Sequence, residues 1–174
     1  MKRTLICMLL SGATLLRAEG DAALAQVERG RQVFLHSKKG IACATCHSLE
    51  GQGIAVGPDI TKLAAVVGPR GLATTILMTA TAYVQDFKLP NGRTFPGIEK
   101  QKTADTWEIF DLSRIPAVLL KLKPADTVVV RSSSEWCHPP TVAKYAPEEL
   151  ADIIGYLKFV ATGKAKEVSS DELF

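Results

Sequence analysis

The 174-residue sequence is poor in imidazole and sulfur side chains, with three histidines, four cysteines and three methionines. A zinc site needs further ligands at matching spacing, and no second cluster accompanies the single Cys-x-x-Cys pair. Charge is also nearly balanced, with a formal net charge of +3 and none of the clustered positive charge of nucleic-acid binders. We therefore expect neither a zinc-binding domain nor a nucleic-acid-binding protein.

Long apolar runs are absent after the N-terminus. Residues 4–16 form an apolar run that follows two basic residues and is too short to span a bilayer, a pattern typical of an export signal. The small residues at Ala23 and Ala25 predict cleavage after Ala25. A cut after Ala18 and a retained N-terminal anchor are alternatives. We expect residues 1–25 to be a signal peptide and the mature protein to be periplasmic, with no membrane span.

Composition and length favour one domain, since 47% of the residues are hydrophobic and 22% are charged. We expect this domain at residues 26–163, followed by a loose polar tail at 164–174. Helical spacing of apolar residues predicts helices at 22–37 and 71–83. A last helix is predicted to begin at Pro147, which suits a first helical turn.

The central segment has a different pattern. Residues 90–92 are Pro-Asn-Gly, which is typical of a hairpin turn, and residues 106–110 alternate between polar and apolar. Two further strand-like segments, 118–122 and 127–131, flank another turn. We therefore expect a small antiparallel β insertion at about residues 84–131.

Residues 43–47 read Cys-Ala-Thr-Cys-His, which is the signature of c-type haem attachment. The two thiols of such a motif form thioethers with the porphyrin, and the histidine binds the iron. A redox-active cysteine pair is the rival interpretation, but it needs no following histidine. We expect one covalent haem c on Cys43 and Cys46, with His47 as an axial ligand. Pro58 fixes a turn that can bring a backbone carbonyl to the far imidazole nitrogen.

Three further segments, taken with the Cys-Ala-Thr-Cys-His motif, resemble class I cytochrome c. They are Gly-Arg-Gln-Val-Phe at residues 30–34, Gly-Pro-Asp-Ile at 57–60, and the apolar stretch 149–157. The resemblance implies a mainly α fold in which the N- and C-terminal helices cross around the haem. More narrowly, the chain resembles haem-binding domains found with dehydrogenase-like proteins in environmental bacteria, which carry an added β segment before the distal ligand.

The resemblance also indicates the second axial ligand. The family's distal methionine lies in a loop before the last helix and is followed by proline. His138, followed by Pro139 and Pro140, occupies that position here, so bis-histidine ligation is expected. Met78 and Cys137 are alternative sixth ligands, and an iron without a second protein ligand is a further possibility.

Two filled axial positions predict an electron carrier rather than an enzyme. Its partners would be redox proteins, such as a periplasmic dehydrogenase or a terminal acceptor. Two other functions stay open at this point. One is a haem enzyme or a gas or redox sensor whose sixth position is open or displaceable. The other is a dedicated electron-transfer subunit of a periplasmic dehydrogenase, with the β insertion as its interface.

Overall fold

The computed structural model describes residues 6–78, 81, 83–133, 135–139 and 144–174, with side chains from Glu19 onward. The chain is 40% helix and 21% strand. The prediction of a mainly α fold is therefore not confirmed, because the central segment forms a five-stranded sheet where only a small β insertion was expected. The antiparallel β structure itself is present.

Four α-helices lie in the described part of the chain. They are α1 (Ile6–Leu35), α2 (Ile60–Val66), α3 (Pro69–Leu77) and α4 (Pro147–Thr162). Proline at the first turn of α3 and of α4 suits a position whose N–H needs no helical partner. Helix α4 ends at Thr162 and is capped by Gly163, whose φ of 70° is the left-handed conformation common just after a helix C-terminus.

Two helices differ from their predicted bounds. Helix α1 already includes Ile6 and so extends well before the predicted start at residue 22, because the apolar N-terminal run is part of it. Helix α3 ends at Leu77 instead of continuing to Tyr83, since Met78 has extended backbone angles, with φ −69° and ψ 127°. Within the residues described, none of the helices combines the length and apolarity that a membrane crossing requires.

The central segment forms one five-stranded antiparallel sheet. Its strands are β1 (Gln85–Lys88), β2 (Thr94–Lys102), β3 (Trp107–Asp111), β4 (Val118–Leu122) and β5 (Val128–Ser132). The strand order is β4-β3-β2-β1-β5, so β5 crosses back to pair with β1. The predicted turn at residues 90–92 joins β1 to β2, with Gly92 at φ 83°.

The sheet buries aromatic side chains on one face and contacts the helical part of the protein on the other. Phe87 stacks on Phe95 at 5.8 Å between ring centres and meets the edge of Trp107 at 5.4 Å. On the second face, Phe110 and Leu112 pack in a cluster with Val56 and Val84 and with partly buried Cys46 and Trp136. This cluster connects the insertion to the Cys-Ala-Thr-Cys-His motif.

Helices α1 and α4 pack closely at Gly30. A Cβ atom at Gly30 would lie 1.9 Å from the backbone oxygen of Asp152 and 2.9 Å from the Cβ of Tyr156. One turn further along α1, Phe34 meets the Tyr156 ring edge to face at 5.7 Å between ring centres. Arg29 forms a 2.9 Å ion pair with Asp152 at the same crossing. Glycine is therefore required at residue 30 to let the two helix backbones approach.

Replacing Gly30 by alanine is expected to lower the free energy of unfolding by about 3 kcal/mol, because the new methyl group overlaps backbone that cannot move aside. Gly68→Ala is the matched control, since no atom lies within 4 Å of the added Cβ. It should cost about 1 kcal/mol or less. Denaturant unfolding of both variants measures the difference, and equal losses would contradict the close approach of the helices.

Residues 164–174 are not the loose tail that their composition suggested. Val168 and Leu173 are buried, with 5% and 2% of their surfaces exposed. The side chain of Gln26 donates to the Val168 carbonyl at 2.7 Å and accepts from the Val168 N–H at 2.8 Å. The C-terminal segment is thus held against α1 by a pair of hydrogen bonds and by apolar burial that a count of polar residues does not detect.

Candidate functional site

The site begins where α1 ends and the chain turns sharply. Residues 43–45 form a 3-10 turn, in which the N–H groups of Cys46 and His47 donate to the Cys43 carbonyl at 3.1 and 2.9 Å. This turn places both thiols and the His47 imidazole on the wall of one cavity. Cys43 packs against the helical core, and Cys46 packs against the sheet cluster. The short spacing therefore puts three reactive groups on one surface.

The two thiols are in an environment that opposes ionisation. Burial raises the pKa of Cys43 to about 11, and burial also raises the pKa of Cys46. Redox-active cysteines and zinc-bound thiolates need the opposite, a pKa lowered by nearby positive charge or a metal. A thioether carries no charge, so burial does not oppose its formation. The surroundings of Cys43 and Cys46 therefore suit covalent attachment better than a redox pair.

His47 is oriented by the loop that follows the motif. Its Nδ1 lies 3.2 Å from the carbonyl oxygen of Pro58, the contact that the sequence predicted. A donor proton on Nδ1 leaves Nε2 free to bind a metal. Desolvation lowers the pKa of His47, while the Pro58 carbonyl raises it and His138 lowers it. The imidazole therefore stays neutral, which is the form that binds metals.

Gly57 gives the His47 imidazole its space. A Cβ atom at this position would lie 2.4 Å from Cε1 of His47 and 2.9 Å from its Nδ1. The N–H groups of Val56 and Gly57 both donate to the Cys46 carbonyl, at 3.1 and 2.7 Å. The loop at residues 56–57 is thus held against the motif, and only glycine at residue 57 leaves room for the His47 imidazole between loop and motif.

His138 lies across the cavity from His47. The two ring centres are 6.3 Å apart, with an angle of 34° between the ring planes. Nδ1 of His138 is 3.0 Å from the carbonyl oxygen of Pro139, so each imidazole uses Nδ1 on a proline carbonyl and keeps Nε2 available. Two imidazoles bound to one metal each hold a nitrogen about 2 Å from it, which leaves the ring centres roughly 6 Å apart. The observed separation accommodates one metal ion between the rings.

The segment that contains the Cys-Ala-Thr-Cys-His motif matches a known family. Residues 27–112 match the family described as cytochrome c. The matched segment is a cytochrome c domain. Its cofactor is covalently bound haem c, and Cys43 and Cys46 stand in the attachment motif. No curated protein matches the chain. His138 and helix α4 lie beyond the matched residues, so the match does not include them.

The cavity of the cytochrome c domain has a suitable size and lining for haem. Its volume is about 510 Å³, within the range of roughly 300–1,000 Å³ typical of ligand pockets. Apolar side chains from the helices and the sheet line it, including Phe34, Ile60, Leu63, Leu72, Ile76, Ile98, Leu112, Ile153 and Leu157. Such a wall suits the porphyrin face and keeps water away from the iron.

Two polar groups on this wall suit the carboxylates of haem. The hydroxyl of Thr81 is buried and has no hydrogen-bond partner in the part of the chain that the structure describes. Arg114, from the connection between β3 and β4, also lines the cavity. A hydroxyl donor and a guanidinium are the groups expected to bind propionates. The residues present therefore fit the cofactor that the family implies.

The other proposed sixth ligands have less suitable positions. Met78 lines the cavity, but 59% of its surface is exposed. Cys137 is an exposed free cysteine and is not among the residues of the cavity wall. Among the described residues, no group of three or more His, Cys, Asp or Glu side chains could hold a metal by itself. The two histidines therefore suit a haem iron, since the porphyrin supplies the remaining ligands.

Sequence reasoning did not assign Thr81, Arg114 or Trp136 to the site. Trp136 meets the ring of His138 edge to face and lines the same cavity. Its place two residues before His138 was the available signal, but aromatic residues of small domains are more often plain core. Thr81 and Arg114 carry no such signal, because only the fold brings these distant parts of the chain to one wall.

Proposed function

We propose that this protein is an exported monohaem cytochrome c that carries electrons between periplasmic redox proteins, with His47 and His138 as the two axial ligands of the iron. The observation that carries the proposal is the 6.3 Å separation of the two imidazole centres. Electron transfer is the general function of cytochrome c domains. Export is supported by the basic and apolar start of the sequence. The partners are a periplasmic dehydrogenase or a terminal acceptor.

Each residue of the site has a defined task in this function. Cys43 and Cys46 attach the cofactor through thioethers, so that it is retained after export. The carbonyls of Pro58 and Pro139 accept from Nδ1 of His47 and His138 and leave Nε2 of each ring free to bind a metal. Bound haem supplies the one-electron ferric/ferrous couple. No proton donor or acceptor for substrate chemistry is needed.

The apolar wall contributes to electron transfer by excluding water from the site. Fixed, close-packed side chains reorganise less than solvent when a charge changes beside them. Arg114 adds a positive charge to the wall, which would offset the negative charge of a propionate. The protein therefore holds the cofactor in one geometry in both oxidation states, as an electron carrier requires.

The ferrous holoprotein is expected to be six-coordinate and low-spin and to resist carbon monoxide, because a bound imidazole blocks the second axial position. Replacing His138 by alanine should make carbon monoxide binding at least about tenfold faster. Absorption spectra and stopped-flow mixing measure both properties. Cys137→Ala is the control and should behave like the wild type. A wild-type protein that binds carbon monoxide as fast as His138→Ala would instead indicate a sensor or enzyme with a displaceable ligand.

A further inference from the structure

Trp136 connects the inserted sheet to the distal histidine. Its ring is partly buried and packs in the cluster that contains Phe110 and Leu112, at the end of β3 and just beyond it. It also meets the ring of His138 edge to face, with 6.5 Å between ring centres and 86° between ring planes. Aromatic pairs favour this geometry at such separations. One side chain is therefore in contact with both the sheet and His138.

We propose that Trp136 is a positioning residue for His138, and that the inserted sheet holds the distal imidazole in place through it. The proposal rests on the bis-histidine ligation proposed above. The matched cytochrome c segment ends at residue 112, so neither Trp136 nor β4 and β5 belong to it. The inserted sheet therefore takes part in the haem site by positioning one of its ligands.

The hydrogen bond of His138 to the Pro139 carbonyl does not by itself hold the imidazole in place in the protein. Its acceptor, the Pro139 carbonyl, belongs to the next residue in the chain. That bond sets the rotation of the ring relative to its own backbone, but it does not place that backbone in the protein. A contact to a distant, rigid part of the fold is needed for placement. In the described segment, Trp136 supplies such a contact.

The chain before Trp136 is attached to the same sheet. Strand β5 ends at Ser132, and the N–H of Ser133 donates to the Val84 carbonyl at 2.8 Å. Val84 is fully buried in the cluster that Trp136 joins. Backbone and side chain therefore anchor the distal segment to one rigid element on its N-terminal side.

Position matters because a metal–imidazole bond tolerates little displacement. Binding sites need their groups within about 0.5 Å of the productive geometry. If the edge of the Trp136 ring is removed, the His138 ring gains room to turn and move off the iron axis. The sixth position should then be open for a larger fraction of the time, and small ligands should enter more readily.

The test uses the holoprotein and the rate of carbon monoxide binding to its ferrous form. Trp136→Leu keeps an apolar side chain in the cluster but removes the ring edge, and should bind carbon monoxide at least about fivefold faster than the wild type. Trp136→Phe restores an aromatic edge and should return the rate toward the wild-type value. Electron paramagnetic resonance of the ferric form should report a changed low-spin signal in the leucine variant only.

Val84→Ala is the matched control, because it removes buried volume from the same cluster at a residue that does not line the cavity. Equal acceleration in Val84→Ala and Trp136→Leu would overturn the proposal, since general loosening would then explain both. A leucine variant as slow as the wild type would also overturn it. If His138→Ala has no effect, bis-histidine ligation itself fails. If only Trp136→Leu has no effect, ligation stands and the positioning role fails.

Discussion

Replacing both Cys43 and Cys46 by alanine is expected to abolish covalent haem attachment. The two thioethers are the covalent bonds between the motif and the porphyrin, and no other pair of thiols lines the cavity in the described chain. Haem staining after denaturing electrophoresis should fall to background, and the mass of the mature polypeptide should show no added haem. Noncovalent haem would be lost on denaturation.

Single variants refine this expectation. Cys43→Ala and Cys46→Ala should each retain one thioether and therefore stain for haem, with a shifted α band in the reduced spectrum. Cys137→Ala is the control, because Cys137 is exposed and lies off the cavity wall. It should keep the wild-type spectrum and mass. Covalent haem on the double variant, or its loss from Cys137→Ala, would contradict the assignment of the attachment residues.

Replacing His138 by methionine is expected to raise the midpoint potential on the order of 0.1 V, a modest part of the range of roughly 0.8 V that axial ligands set in haem proteins. A thioether sulfur stabilises the ferrous form relative to imidazole, which is why histidine–methionine cytochromes have higher potentials. Methionine has three rotatable bonds and can adapt to the space of the imidazole. Spectroelectrochemical titration of the purified holoprotein measures the change.

The Met78→Leu variant tests the alternative that Met78, and not His138, is the sixth ligand. Because 59% of Met78 is exposed, the leucine variant should keep the potential and the spectrum of the wild type. An unchanged potential in His138→Met, together with an altered spectrum in Met78→Leu, would identify Met78 as the sixth ligand instead. The two variants therefore distinguish the two candidate ligands in one set of titrations.

The parts of the fold that the sequence predicted well are those with local causes. The turn at residues 90–92 needs a residue with positive φ, and Gly92 supplies it. Helix α4 begins at Pro147, as predicted. The contact of His47 with the Pro58 carbonyl also follows from a short loop that closes on the motif. In each of these elements the interacting groups are near neighbours in the chain.

The elements that sequence reasoning missed depend on distant segments. Strand β5 pairs with β1 across the whole insertion, so alternation of residue types could not indicate its neighbour. The polar composition of residues 164–174 concealed Val168 and Leu173, whose burial depends on the surface that α1 presents. Thr81 and Arg114 both line the cavity for the same reason. Such contacts exist only when the chain is folded.

The sequence by itself determined the attachment chemistry, because two thiols and an imidazole at the fixed spacing of residues 43–47 suffice to specify it. The opposite side of the site was decided by tertiary structure. His138 is separated from His47 in the chain by the whole inserted sheet, and only the folding of that segment sets the two rings 6.3 Å apart. Metal–ligand bonds require a distance and a direction, and spacing along the chain specifies these only for neighbouring residues.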